Sequence, residues 1–114
     1  MATVNFTGSW VSRGVHKTTW PSLTNVDSGA VQSASRLSDK SIQVDGTFDG
    51  GTVTIEGSNS GPSGPFFTLT DPQGNSIALT SAGGESITEN VQFIRPTGSG
   101  GLGGMSVNVN LIER

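Results

Sequence analysis

Hydrophobic residues recur with period two along much of the chain, a spacing that predicts strands and not helices. The cleanest run is the last, where Met105, Val107, Val109 and Leu111 alternate with Ser106, Asn108 and Asn110, as expected of a strand with one face in a core. Earlier, Ile42, Val44 and Phe48 share one parity, and Val53 and Ile55 resume the alternation after Asp49-Gly50-Gly51. Two alternating runs around a Gly-rich reversal predict a β-hairpin over Ser41 to Ser58. Gly46, on the apolar parity but without a side chain, predicts a bulge or a close backbone approach. A second hairpin is predicted from Phe67 and Leu69, the turn Asp71-Pro72-Gln73-Gly74-Asn75, then Ile77 and Leu79. Pro72 presets φ in that turn, and Gly74 or Asn75 supplies a positive φ. Val91, Phe93 and Ile94 predict a short strand ended by Arg95-Pro96, with a glycine-rich loop from Thr97 to Gly104.

The first 37 residues follow neither period. Val4 and Phe6 alternate over one short strand, whereas Trp10, Val11, Val15, Trp20 and Leu23 do not. Ser28 to Ser38 admits a helical turn at most, because its serines and β-branched residues are weak helix formers. Residues 1–20 therefore read either as an extended N-terminal arm or as ordinary edge strands. The sum is one β domain over residues 1–114 with about seven to eight short strands. Regular spacing and turn signals predict an all-β fold, an antiparallel β-sandwich or a jelly-roll-like barrel.

Composition sharpens this picture. Gly (17), Ser (16) and Thr (13) supply 46 of the 114 residues, and only 13% are charged. At 11.7 kDa a folded monomer should expose roughly 5,900 Å², enough for one core. Without cysteine, stability must come from burial and sheet hydrogen bonds, which fits folding in a reducing compartment. The formal net charge of −3 and the lack of a basic cluster argue against a nucleic-acid partner. No run approaches the roughly 18 apolar residues of a bilayer span, so no membrane partner is expected; the first ten residues also lack the basic and apolar regions of a signal peptide.

Candidate chemistry is sparse. His16 is the sole histidine; no Gly-x-Ser-x-Gly elbow accompanies it, so it reads as an exposed or interface residue and not as a catalytic base. Gly98 to Gly104 precedes a strand and holds no lysine, unlike a phosphate-binding loop. Asp45 and Asp49 lack the ligand spacing of a calcium loop, and Asp49 and Asp71 read as turn caps. Asp45 and Glu56 would face one another across the first hairpin as a solvated pair, the alternative being glycosidase carboxylates. Trp10, Trp20, Phe66 and Phe67 suit either a core or a sugar-stacking platform. No enzyme activity, cofactor or metal is expected, and Trp10, Trp20 and Phe66 are the candidate partner-contact residues.

One set of segments carries a resemblance: Trp20-Pro-Ser-Leu-Thr-Asn-Val-Asp-Ser-Gly29, Ser41-Ile-Gln-Val-Asp-Gly-Thr-Phe48, Thr52-Val-Thr-Ile-Glu-Gly-Ser-Asn59, Leu69-Thr-Asp-Pro-Gln-Gly-Asn75 and Ile94-Arg-Pro96. Together they resemble small structural proteins from the head-gene region of tailed bacteriophages and prophages, over roughly Trp20 to Leu111. The resemblance implies a head decoration protein, also called a cement or staple protein, on the outer surface of the capsid and made in the reducing cytoplasm of the bacterial host. It implies a sandwich or jelly roll, the major capsid protein as partner, and a homo-oligomer, a dimer before a trimer. It transfers no catalytic residue. Two alternatives are a carbohydrate-binding or host-adhesion module, and a tail or neck structural protein.

Overall fold

The computed structural model describes residues 2–34 and 37–114, which form strands and turns without a helix. In chain order the strands are β1 (Thr3–Val4), β2 (Thr7–Ser12), β3 (Val15–Leu23), β4 (Ser28–Gly29), β5 (Gln32–Ser33), β6 (Lys40–Thr47), β7 (Gly51–Ser58), β8 (Phe67–Thr68), β9 (Ala78–Leu79), β10 (Gly83–Ile87), β11 (Phe93–Gly100) and β12 (Ser106–Glu113). Two sheets stack as an all-β sandwich. One has five antiparallel strands in the order β10-β6-β12-β3-β2. The other has seven, in the order β1-β4-β11-β7-β8, with β5 also on β11 and β9 also on β7. The strand count exceeds the seven or eight expected in part because the rows flanking β11 and β7 are each broken into two-residue pieces.

The core lies between the sheets and contains Trp20, Leu23, Ile42, Val44, Val53, Ile55, Leu69, Ile94, Val107, Val109 and Leu111, each 1% exposed or less. The folded chain exposes 5641 Å², close to the size-based expectation. Alternation along β6, β7 and β12 places these residues inward, as their periodicity predicts. In β3 the alternation is broken near Ser22, whose φ is 55°, and the register against β12 shifts by one residue there. That bulge turns both Trp20 and Leu23 inward although three positions separate them.

The hairpin expected over residues 41–58 is not present. β6 pairs with β10 and β12 in one sheet, and β7 pairs with β11, β8 and β9 in the other. Asp49 (φ 47°) and Gly50 (φ 78°) do form a tight turn, closed by Gly51 N donating to Phe48 O at 2.7 Å. Because neighbours occupy both edges of each strand, the turn joins strands that face each other across the core. Gly46 meets the other expectation: its φ is 122° and a Cβ there would lie 2.5 Å from Ser106 O and 2.9 Å from Val107 Cα.

The second hairpin is reduced to its tip. Thr70 and Ser76 form a bridge around the turn, and Asp71 Oδ1 accepts from the amides of Gln73 and Asn75, both at 3.0 Å. Ile77 N still donates to Leu69 O at 2.9 Å, and beyond that pair the arms part and lie end to end along β7. β11 also continues past Arg95-Pro96 to Gly100, so half of the expected glycine loop is strand. Gly98 N donates to Asp27 O, and alternation places the Pro96 nitrogen on that same edge. The missing N–H therefore falls between β5 and β4 and leaves the β7 ladder intact. Of the stretch 28–38, residues 28–29 and 32–33 are strands where a helical turn was admitted, and 35–36 lie outside the described residues.

Residues 3–23 form strands on both sheets: β1 runs parallel to β4, and β2 forms a hairpin with β3. Residues 3–20 thus lie in β1, β2, the first part of β3 and the turns between them.

Candidate functional site

The three aromatic residues expected at a partner contact lie in different settings. Trp20 is fully buried, its Nε1 donates to Ala30 O at 2.9 Å, and Phe6 meets its ring edge-on with centroids 5.7 Å apart. It is a core residue and cannot present its ring to a partner, which corrects that expectation. Gly29 packs directly on it: an added Cβ would lie 2.7 Å from Trp20 Cδ1 and 2.5 Å from Pro96 Cδ.

Phe66 is half-buried on the outer face of the larger sheet. The Arg95 guanidinium carbon lies 3.9 Å above its ring centroid, and Arg95 Nε donates to Glu56 Oε1 at 3.0 Å. Glu56 and Arg95 are direct cross-strand partners on β7 and β11. The ring therefore covers an ion pair of its own chain, a contact worth roughly 0.5–1 kcal/mol at an exposed site. Asp45 lies in β6 of the other sheet, so the Asp45–Glu56 pair expected across a hairpin does not exist. Neither carboxylate can act on a glycosidic bond held by the other.

Trp10 remains, at 56% exposure. It pairs with His16 across the β2–β3 ladder, and the rings meet edge-to-face at 5.0 Å. His16 itself is only 6% exposed, contrary to its reading as a surface residue. The register shows why: His16, Thr18 and Trp20 share the inward parity of β3. His16 Nδ1 lies 3.8 Å from Glu113 Oε1. Glu113 is directly opposite both His16 on β3 and Lys40 on β6, and it is fully buried.

These residues form a buried polar end to an otherwise apolar core. Lys40 Nζ donates to Leu37 O at 2.7 Å and Asn90 Oδ1 at 2.6 Å, and Gln32 Nε2 donates to Thr18 Oγ1 at 3.1 Å. Burial pushes the Lys40 pKa below 10.5, with the Glu113 and Asp39 carboxylates opposing that shift. Sequence reading missed this cluster although a signal existed: the inward parity of Met105 to Leu111 continues to position 113. Among the described residues, no three His, Asp or Glu side chains converge as metal ligands. The cluster's geometry is structural, because it closes the end of the sandwich with charge-assisted hydrogen bonds.

The opposite end is built from loops cross-linked by backbone contacts. Asp49 Oδ2 accepts from Gly104 N at 2.8 Å, Leu102 N donates to Asp49 O at 3.1 Å, and Asn25 Nδ2 donates to Gly100 O at 2.6 Å. Asp49 thus ties the 100–104 loop to the β6–β7 turn, a longer reach than the local cap expected of it. Val26 and Leu102 stand exposed on these loops. Among the described residues, the exposed large hydrophobic side chains are therefore on β2, on β8 at Phe67, and on this loop end.

Neither a family model nor a curated protein sequence matches the chain. Among solved structures, the SPBc2 prophage-derived protein YomS is similar over 92% of this chain and 98% of its own, at a TM-score of 0.57 and 10% identity. That likeness shows a shared fold over essentially the whole of both chains. Weaker likenesses include PliG of Aeromonas hydrophila, a periplasmic inhibitor of g-type lysozyme (11% identity, 98% and 95% coverage, TM-score 0.44), and NMB1881 from Neisseria meningitidis (13%, 94% and 81%, 0.42).

Proposed function

We propose that this chain is a phage capsid decoration protein that binds the outer surface of the head and bridges major capsid subunits. The observation that carries this reading is the whole-length fold likeness to a prophage-derived protein, taken with the sequence resemblance to phage head-region proteins. The distribution of chemistry agrees with it. The buried charges close the core, Phe66 covers an internal ion pair, and the exposed apolar groups sit on an edge strand and on braced loops. Such features suit surface attachment. A copy that touches two subunits gains from effective concentration, so modest affinity per contact is sufficient. Attachment to the assembled shell then stabilises it by mass action.

Co-sedimentation tests the reading. Purified protein mixed with expanded empty capsids should pellet with them to a saturable stoichiometry and raise the temperature at which the shells rupture. Protein that stays in the supernatant, or that instead shows quenched tryptophan fluorescence with oligosaccharides alone, would contradict the proposal and favour a glycan-adhesion role.

A further inference from the structure

Of the chain's two lysines, Lys17 is exposed and Lys40 is only 5% exposed. A lysine is seldom buried without a partner. The Lys40 Nζ donates to the side-chain amide oxygen of Asn90 at 2.6 Å and to Leu37 O at 2.7 Å, and neither acceptor is a carboxylate. The carboxylate beside it is Glu113, fully buried and directly opposite Lys40 in the β6–β12 register. Next along, Asp39 and Arg114 exchange both backbone hydrogen bonds. Lys40 and Glu113 are therefore the closer kind of antiparallel pair, with Cα atoms about 4.5 Å apart and side chains near each other. An amine, a carboxamide and a carboxyl group thus meet at one end of the core.

From this arrangement we propose that Lys40 and Asn90 join in an intramolecular isopeptide bond that the chain forms by itself. Glu113 first takes the ammonium proton and frees the Nζ lone pair. Nζ attacks Asn90 Cγ, the Nζ–Cγ bond forms, and the Cγ–Nδ2 bond breaks. A second Nζ proton passes through the Glu113 carboxyl to the departing nitrogen. The products are a secondary amide and ammonia, which carries off the first proton as ammonium and leaves Glu113 ionised as before. Oxidation states are unchanged, and no co-reactant is consumed.

The surroundings favour this step. With a C=O bond of about 1.23 Å and the usual bent approach of a donor, Nζ stands about 3–3.5 Å from Cγ, the separation of a near-attack pair. Both ends are held. Leu37 O fixes the amine, and the buried Val91 follows Asn90. Thr88 N donates to Thr70 O, Thr70 N to Glu89 Oε1, and Gln92 N to Asn59 Oδ1, which pins the segment on either side of Asn90. Asn90 itself keeps an exposed side, through which ammonia can leave. Burial also holds the Lys40 pKa below 10.5 against the opposing Glu113 and Asp39 carboxylates, and desolvation of this kind activates a lysine. That titration belongs to the chain before the bond forms. The bond joins positions 50 residues apart, a covalent staple in a chain without cysteine.

Intact mass spectrometry of the denatured full chain tests this without any capsid, so its outcome is separable from that of the functional proposal. The purified protein should weigh less than its sequence by one ammonia. Cleavage after glutamate should yield two peptides joined through Lys40 and Asn90. Asn90→Ala, at an exposed position, should restore the sequence mass and keep the circular dichroism of the native chain, yet melt lower by on the order of 10 °C. Lys40→Arg should also restore the mass. Glu113→Gln should slow cross-linking by about a hundredfold or more, read in chains with native circular dichroism. Full sequence mass after prolonged incubation at neutral pH, or a deficit that persists in Asn90→Ala, overturns the inference. Cross-linking of Glu113→Gln at the native rate overturns the role given to Glu113.

Discussion

Glu113 sits where the inward parity of β12 passes from hydrocarbon to charge, between His16 on one neighbouring strand and Lys40 on the other. Removing one partner of a buried charged group strands the others, so Glu113→Ala should lower unfolding stability by about 3–5 kcal/mol. Urea titration should show a lower midpoint with an unchanged slope. Lys40 adds a pH signature. Burial holds its pKa below 10.5, so between that lowered value and 10.5 the unfolded chain binds more protons than the folded one. Stability from this group therefore rises with pH across that alkaline window, and Lys40→Met should remove the rise. Glu89 acts in the opposite range. Burial raises its pKa, but hydrogen bonds from the Thr70 amide and hydroxyl outweigh this and hold it below 4.5. Its stabilisation is present above 4.5 and is lost as pH falls through the lowered folded value. Glu89→Gln should cost about 1 kcal/mol at neutral pH after solvent screening and flatten the acid limb of the stability curve.

Among the elements, β12 and the β6–β7 pair show how far periodicity reaches. The alternation of Met105 to Leu111 identified the buried face of β12 correctly, and Val109 is fully enclosed. Val109→Asp should leave the chain unfolded by circular dichroism, since an ionised carboxylate there has no partner. The alternation of Ile42, Val44, Val53 and Ile55 identified inward faces equally well but not their partners. A hairpin and a strand-to-strand crossing of the core bury the same parity, and the Asp49-Gly50 turn serves both. Sheet membership depends on which edges β10, β11 and β12 occupy, a long-range choice that local sequence does not encode. Trp10 and Trp20 were indistinguishable for a related reason. The bulge at Ser22 hides the period of β3, and the absence of cover over β2 is a property of the other sheet. Gly46 was legible because a missing side chain on an apolar parity has few causes. Gly46→Ala would force a Cβ to within 2.5 Å of Ser106 O at a φ of 122° and should cost about 1–3 kcal/mol, read as a drop in melting temperature.

For the molecule as a whole, the sandwich distributes exposed apolar groups around its perimeter among the described residues: the β2 edge with Trp10, Phe67 on β8, and the Val26–Leu102 loop end. An object of this kind is suited to lying against a larger assembly with several patches engaged at once. Reconstruction of the intact phage particle by electron cryomicroscopy tests this account most directly. The account predicts density of this fold on the outside of the expanded head, contacting at least two major capsid subunits. Density confined to the tail or neck, or a particle without the chain, would contradict it.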